Sequence, residues 1–69
     1  MPLNTKLEKV LANARGLAAE LKTFSMDTND TQAKEMFNTL SLNADDIATT
    51  LQNRVDFVKG EEPQYNELP

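Results

Sequence analysis

The sequence predicts an all-α protein: an antiparallel helical hairpin that pairs as a homodimeric four-helix bundle, followed by an extended C-terminal tail. Two stripes of apolar residues recur at helical spacing, one in each half of the chain. A short polar break separates the stripes, and two of the three prolines lie in the last eleven residues. At 69 residues the chain holds one domain at most. We expect a hairpin over residues 1–59 and a tail over residues 60–69.

The first apolar stripe predicts a helix over about residues 4–26. Its members alternate between spacings of three and four residues, which is the pattern of a heptad seam. They are Leu7, Val10, Ala14, Leu17, Leu21 and Phe24, and Leu11 and Ala18 widen the stripe on one flank. Thr5 and Glu8 have the spacing of a capping box, which places the helix start just before them.

The polar residues 27–30 end this helix, because their short side chains compete for backbone hydrogen bonds. Asn29 and Gln32 have the spacing of a capping pair for a second helix, predicted over about residues 30–59 with Gly60 as its C-terminal cap. The second stripe comprises Ala33, Phe37, Leu40, Ala44, Ile47 and Leu51, is continued by Val55 and Val58, and is flanked by Met36, Ala48 and Phe57. A break this short makes the helices antiparallel neighbours.

The predicted helices differ in length, and this difference favours a homodimer. At about 1.5 Å per residue, the second helix would extend beyond the first by roughly two turns. The overhang would carry Val55, Phe57 and Val58, and a lone hairpin would leave these side chains and half of each stripe in water. The chain has no cysteine, so no disulfide can stabilise so small a domain, and oligomerisation is the remaining device.

Ala12, Gly16 and Ala19 form a ridge of small residues on the predicted outer face of the first helix. Such a ridge allows another helix to approach closely. Small residues are also ordinary on exposed helix surfaces. We favour the exposed interpretation and leave the other open.

Charge and hydropathy argue against several classes of function. The net charge is −4 and the seven basic residues are scattered, so we expect no nucleic-acid binding. No apolar run approaches the ~20 residues of a membrane span, and the first ten residues do not resemble a signal peptide. We therefore expect a cytoplasmic protein without membrane insertion.

The residue types needed for catalysis are scarce. The chain has no histidine and no cysteine. Asp45 and Asp46 are an adjacent acidic pair within a predicted helix, but neighbours on a helix point about 100° apart and do not converge. We therefore predict no enzyme activity, no catalytic residue, no metal site and no cofactor.

The C-terminal residues 60–69 are predicted to leave the bundle in extended form, because Pro63 lacks the amide proton that a helix requires. Tyr65 is the natural anchor if this tail docks, since tyrosine is enriched at binding hot spots. Docking on a partner, packing on its own bundle and fraying all remain open. The tentative partner-binding residues are Glu61, Glu62, Pro63, Gln64 and Tyr65.

With this EEPQY ending, the chain resembles a small family from endospore-forming bacteria, catalogued as a domain of unknown function with the number 1657. The other matching elements are the stripe from Leu7 to Leu21, the polar break Thr28-Asn29-Asp30 and the pair Ala33-Lys34. Family members look like neighbours of the spore inner-membrane channel system that moves dipicolinic acid. A similar module occurs fused to a membrane protein linked with spore resistance.

The resemblance implies a sporulation-associated accessory, located in the cytoplasm of the forespore or the spore core. We expect a non-enzymatic interaction protein that binds itself or a spore inner-membrane protein. The alternative is a ligand-binding or storage-type helical bundle. That alternative requires convergent polar groups in the core, and the predicted seam has none.

Overall fold

The structure, a computed structural model, describes residues 3–60, with side chains from residue 5 onward. They form α1 (Leu3–Asp27) and α2 (Thr31–Gly60), which pack against each other as a hairpin. The predicted all-α hairpin is therefore confirmed. Its extents of 50 × 18 × 11 Å are those of a single layer of two helices.

The turn between the helices occupies residues 28–30 and is held by local hydrogen bonds. The Thr28 amide donates to the carbonyl of Phe24 (3.1 Å), and the Thr28 hydroxyl accepts a bond from the Asp30 amide (3.2 Å). The Asp30 carboxylate accepts a bond from the amide of Ala33 (3.0 Å). Asp30 is thus the N-cap of α2, and the prediction that Asn29 caps this helix was wrong. Asp30 stands directly before the first helical residue, where a side-chain oxygen reaches the third amide of the helix.

Two further capping predictions were wrong. α1 begins at Leu3, so Thr5 lies inside the helix, and Glu8 pairs with Lys59 instead of with the helix start. Gly60 is the last residue of α2, and no described glycine has a positive φ. Gly60 therefore does not form the left-handed cap that glycine often provides after a helix.

The hairpin seam consists of the residues buried between the two helices. Its members are Leu11, Ala18 and Ser25 of α1 and Ser41, Ala44, Ala48, Val55 and Val58 of α2. Most of them are alanine or serine. At its middle the Ser41 hydroxyl donates a hydrogen bond to the carbonyl of Ala18 (3.0 Å). Because the distance between packed helices depends on the side chains at the contact, these small residues bring the two backbones close together.

The seam lies one residue away from much of the predicted stripes. Leu17 and Phe24 are exposed, while their neighbours Ala18 and Ser25 are buried. On α2, Ser41 and Ala48 likewise take the buried positions expected for Leu40 and Ile47. Small residues at the closest approach allow tighter packing, and the larger side chains are left beside the contact.

The predicted exposed overhang was wrong for Val55 and Val58, whereas its third member, Phe57, is 55% exposed. Val55 is 2% exposed and Val58 is 4% exposed within one chain. Val55 packs in a cluster with Leu11 and Ala48, against which Leu7 also lies. α2 has 30 residues and α1 has 25, so the difference is too small to leave these valines in water. Any argument for a dimer must rest on other residues.

Candidate interaction surfaces

One side of the hairpin carries polar side chains that join the two helices, and we call this surface the polar strip. Three pairs cross it: the ion pair of Glu8 with Lys59, Arg15 Nη2 donating to Gln52 Oε1 (2.6 Å), and Lys22 Nζ donating to Asn38 Oδ1 (2.9 Å). The α1 members are seven residues apart, so they lie in a row along one flank of the seam. Two cations of this strip are therefore held by neutral amide oxygens.

The pair of Glu8 and Lys59 lies at the open end of the hairpin. The hydrogen bond from Lys59 to Glu8, together with the charge of Glu8, raises the pKa of Lys59 above its ordinary value of 10.5. Both side chains are exposed, so water screens the pair and it contributes little to stability. Its structural effect is to tie the end of α2 to the first turns of α1.

A shallow groove of about 450 Å³ runs along the polar strip. Its floor includes Ala18 and Ser41, and Arg15 and Lys22 lie along its rim. The Ser41 hydroxyl and both cations already bond to protein oxygens. The groove is open to solvent and lacks the enclosed shape of a small-molecule site.

The opposite side of the hairpin is apolar, and we call it the apolar face. It consists of Val10, Leu17 and Phe24 of α1 with Leu40 and Ile47 of α2. On each helix these residues recur every seven positions, so they form two neighbouring rows beside the seam. Their exposure ranges from 41% at Leu40 to 55% at Ile47. The ring of Phe24 also stacks on Phe37, with ring centres 5.5 Å apart.

The apolar face is a candidate binding surface, because soluble proteins seldom expose large apolar patches without a function. The sequence stripes contained all five residues, but as members of the seam. The signal that separates them is the row of small residues one position further along each helix, at Ala18 and Ser25 and at Ser41 and Ala48.

The other sequence-predicted features are distributed as follows. The tentative partner-binding residues Glu61–Tyr65 lie outside the described residues. Asp45 and Asp46 are both exposed on α2. Within residues 3–60 no three histidine, cysteine or acidic residues are grouped so that they could hold a metal ion. Gly16 is exposed, and a methyl group added there would meet nothing within 4 Å.

Neither described helix is long and apolar enough to span a bilayer. Residues 7–55 match a family described as "Protein of unknown function (DUF1657)". The match covers 49 of the 69 residues and includes the whole apolar face, whereas the EEPQY ending lies beyond it. No curated protein and no solved structure matches the chain.

Proposed function

The chain belongs to the DUF1657 family of proteins of unknown function, and we propose that it is a non-enzymatic helical interaction protein. Its binding surface is the apolar face, and its partners are other helices. The first of these partners is a second copy of the chain, which gives a homodimeric four-helix bundle. The resemblance of the EEPQY ending to endospore-former proteins supports a role as a sporulation accessory in the forespore or spore core.

The exposure of the apolar face carries this proposal. Burying one large apolar side chain stabilises a protein by about 1.5–3 kcal/mol, so five half-exposed ones represent a substantial driving force for association. The seam offers little to compensate, because its larger residues are Leu11, Val55 and Val58 and the rest are alanine or serine. Stable domains are built from at least two packed layers, and this hairpin is one layer.

A second copy supplies the missing layer with a surface of matching chemistry. In a two-fold dimer the same patch is used on both chains, so the patch must be complementary to itself. An apolar face meets that requirement without any charge pairing. Four helices then surround one core, in which the two apolar faces meet at the centre.

The matched leucines Leu17 and Leu42 allow a direct test. Leu17 lies on the apolar face and is 51% exposed, while Leu42 lines the groove on the other side and is 56% exposed. We expect Leu17→Asn to reduce the mass measured by light scattering from two chains to one, or to unfold the chain as seen by circular dichroism. Leu42→Asn should retain both the dimer mass and the helicity.

A Leu17→Asn chain that keeps the mass and stability of the Leu42→Asn chain would refute the apolar face as the binding surface. The control removes the same apolar area from the same kind of exposed helix position. Any difference between the two variants therefore reports the location of the leucine and not its loss.

The tail residues Glu61–Tyr65 are proposed to contact a spore inner-membrane protein. The support is the family resemblance of this ending and the presence in it of a proline, Pro63, a residue type that disfavours helix. The alternative of a ligand-binding or storage bundle has no supporting observation among residues 3–60, since the polar strip forms an open groove whose cations are already bonded.

A further inference from the structure

We infer that the two hairpins of the dimer lie with their turns at opposite ends, so that Leu17 and Ile47 sit close to the two-fold axis. This inference rests on the proposed function and specifies the geometry of the same apolar face. A two-fold axis that lies in the interface plane allows two arrangements. The turns lie at the same end if the axis runs along the helices, and at opposite ends if it runs across them.

Leu17 and Ile47 lie in the same segment of the hairpin. Two hydrogen bonds of the polar strip bracket this segment, one from Arg15 to Gln52 and one from Lys22 to Asn38. Leu17 falls between the two α1 donors, and Ile47 falls between the two α2 acceptors. The two side chains are therefore within about two helical turns of the same level.

The apolar rows are symmetric in position about these two residues. Val10 and Phe24 each lie seven residues from Leu17 on α1. Leu40 and Arg54 each lie seven residues from Ile47 on α2. A two-fold axis across the helices at this level exchanges the two ends of each row. It places Phe24 opposite Val10 of the second copy, and Leu40 opposite Arg54 of the second copy.

The side-chain volumes favour this exchange. At the level near the turn, both helices carry bulky residues, Phe24 on α1 and Leu40 on α2. The ring of Phe24 also packs against the ring of Phe37. At the level near the open end, α1 carries the smaller Val10 and α2 carries Arg54, whose guanidinium lies over the ring of Phe57. Protein interfaces pack to a uniform density, so a large side chain on one copy fits best against a smaller side chain on the other. Turns at the same end would instead place Phe24 against Leu40 of the second copy, two bulky side chains at one level, and Val10 against Arg54 of the second copy.

Charge favours the same arrangement. Arg54 is the cation at the open end of the α2 row, with its guanidinium 5.0 Å from the ring centre of Phe57. With turns at the same end, the Arg54 side chains of the two copies would lie at the same level of the dimer. With turns at opposite ends they are separated by 14 residue positions, or about 21 Å of helix, which is beyond the Debye length of roughly 8 Å at physiological salt.

The available area is sufficient for a stable dimer. The hairpin presents a side of 50 by 18 Å, on the order of 900 Å², and a standard interface buries about 800 Å² on each partner. The face can therefore be covered by one other hairpin of the same length.

Spin labels measure the arrangement directly, because the chain has no cysteine of its own. Asn29→Cys places a single label in the exposed turn, and Asn53→Cys places one near the open end. Pulsed electron paramagnetic resonance on the full chain should give an Asn29-to-Asn29 distance of roughly 40 Å, because each turn lies about 18–27 Å from the axis. Mixed dimers of the two labelled chains should give a shorter distance, roughly 20 Å.

The opposite result would overturn the inference. Turns at the same end would give a short distance of about 10–20 Å between the Asn29 labels, set by the spacing of packed helices and the label lengths, and a long distance in the mixed dimers. In that case the homodimer itself would stand. A folded monomer without any dipolar distance would overturn the second copy as the occupant, and would be visible separately as half the mass in light scattering.

Discussion

The Ser41 hydroxyl donates a hydrogen bond across the hairpin seam to the carbonyl oxygen of Ala18, at 3.0 Å, and both residues are buried. A serine and an alanine thus face each other where a bundle usually places leucine. The contact fixes the close approach of the two helices, and that approach decides which larger side chains are left on the apolar face.

Enlarging Ser41 should destabilise the protein. Ser41→Leu introduces a large side chain against Ala18, where overpacking typically costs about 1–3 kcal/mol. Thr39→Leu, at an exposed position two residues earlier, should be neutral or slightly stabilising because leucine is the better helix former. Urea denaturation followed by circular dichroism measures both changes. Equal stabilities for the two variants would show that the seam is not closely packed.

The melting temperature should depend on protein concentration, because folding and association are coupled in the proposed dimer. Leu17→Ala should lower the stability of the dimer by about 2–5 kcal/mol, the range for a leucine buried in a core, and Leu40→Ala should behave in the same way. Leu42→Ala should change it little. Thermal melts over a hundredfold range of concentration test this, and a concentration-independent midpoint would contradict the dimer.

Replacing Gly16 should stabilise α1. Gly16 is exposed and nothing lies within 4 Å of the position of an added methyl group, so Gly16→Ala meets no obstacle. Alanine is favoured over glycine inside a helix by about 0.5–1 kcal/mol. Thermal melts should show a higher midpoint. A lower midpoint would show that the ridge of Ala12, Gly16 and Ala19 is covered by another helix.

Removing the carboxylate of Glu8 should return the pKa of Lys59 towards 10.5, because Glu8 is the main cause of the upward shift. A raised lysine pKa contributes stability that is fully present below the unfolded value and is lost as the pH rises through the folded one. The stability difference between the wild type and Glu8→Gln should therefore shrink above about pH 10.5. Nuclear magnetic resonance titration of the Lys59 side chain measures the pKa, and Glu20→Gln on another side of α1 serves as the control.

Removal of residues 61–69 should leave the helicity and the melting temperature nearly unchanged, and should abolish capture of the proposed spore membrane-protein partner. The same pull-down from sporulating cells, made with Tyr65→Ala, should lose most of the captured partner. A truncation that lowers the melting temperature, with Tyr65→Ala reproducing much of the loss, would instead show that the tail packs on its own bundle.

The hairpin itself could be predicted from the sequence, but the seam only in part: Ala44, Val55 and Val58 of the predicted second stripe are buried, whereas Leu40 and Ile47 are exposed. On α1 the series beginning Leu7, Val10 and the series beginning Leu7, Leu11 both obey the alternation of three and four residues. Ranking by side-chain size selects the first series, whereas the closest packing of two helices selects the second. The predicted stripe therefore combined residues of the seam with residues of the apolar face, and the row of small residues is the sequence signal that separates the two.

The helix cap shows a similar limit. Thr28, Asn29 and Asp30 are all good capping residues, and the sequence places them next to each other. The choice depends on which backbone amide each side chain reaches, and this is a matter of geometry over a few ångströms. In the structure the Asp30 carboxylate reaches Ala33.

The contacts between the two helices join residues that are progressively further apart in the sequence as their distance from the turn increases, and these separations predict the order in which the contacts form. Phe24 and Phe37 are 13 residues apart in the chain, Ala18 and Ser41 are 23 apart, and Arg15 and Gln52 are 37 apart. The entropy lost on closing a loop grows with the logarithm of its length. The contact between Phe24 and Phe37 therefore has the smallest entropic cost if it forms first. Once one contact has formed, the next contact closes only the few additional residues of chain that lie between the two. The helices should therefore pair first near the turn and last at the open end, where Glu8 pairs with Lys59. Amide hydrogens at that open end should exchange with solvent first.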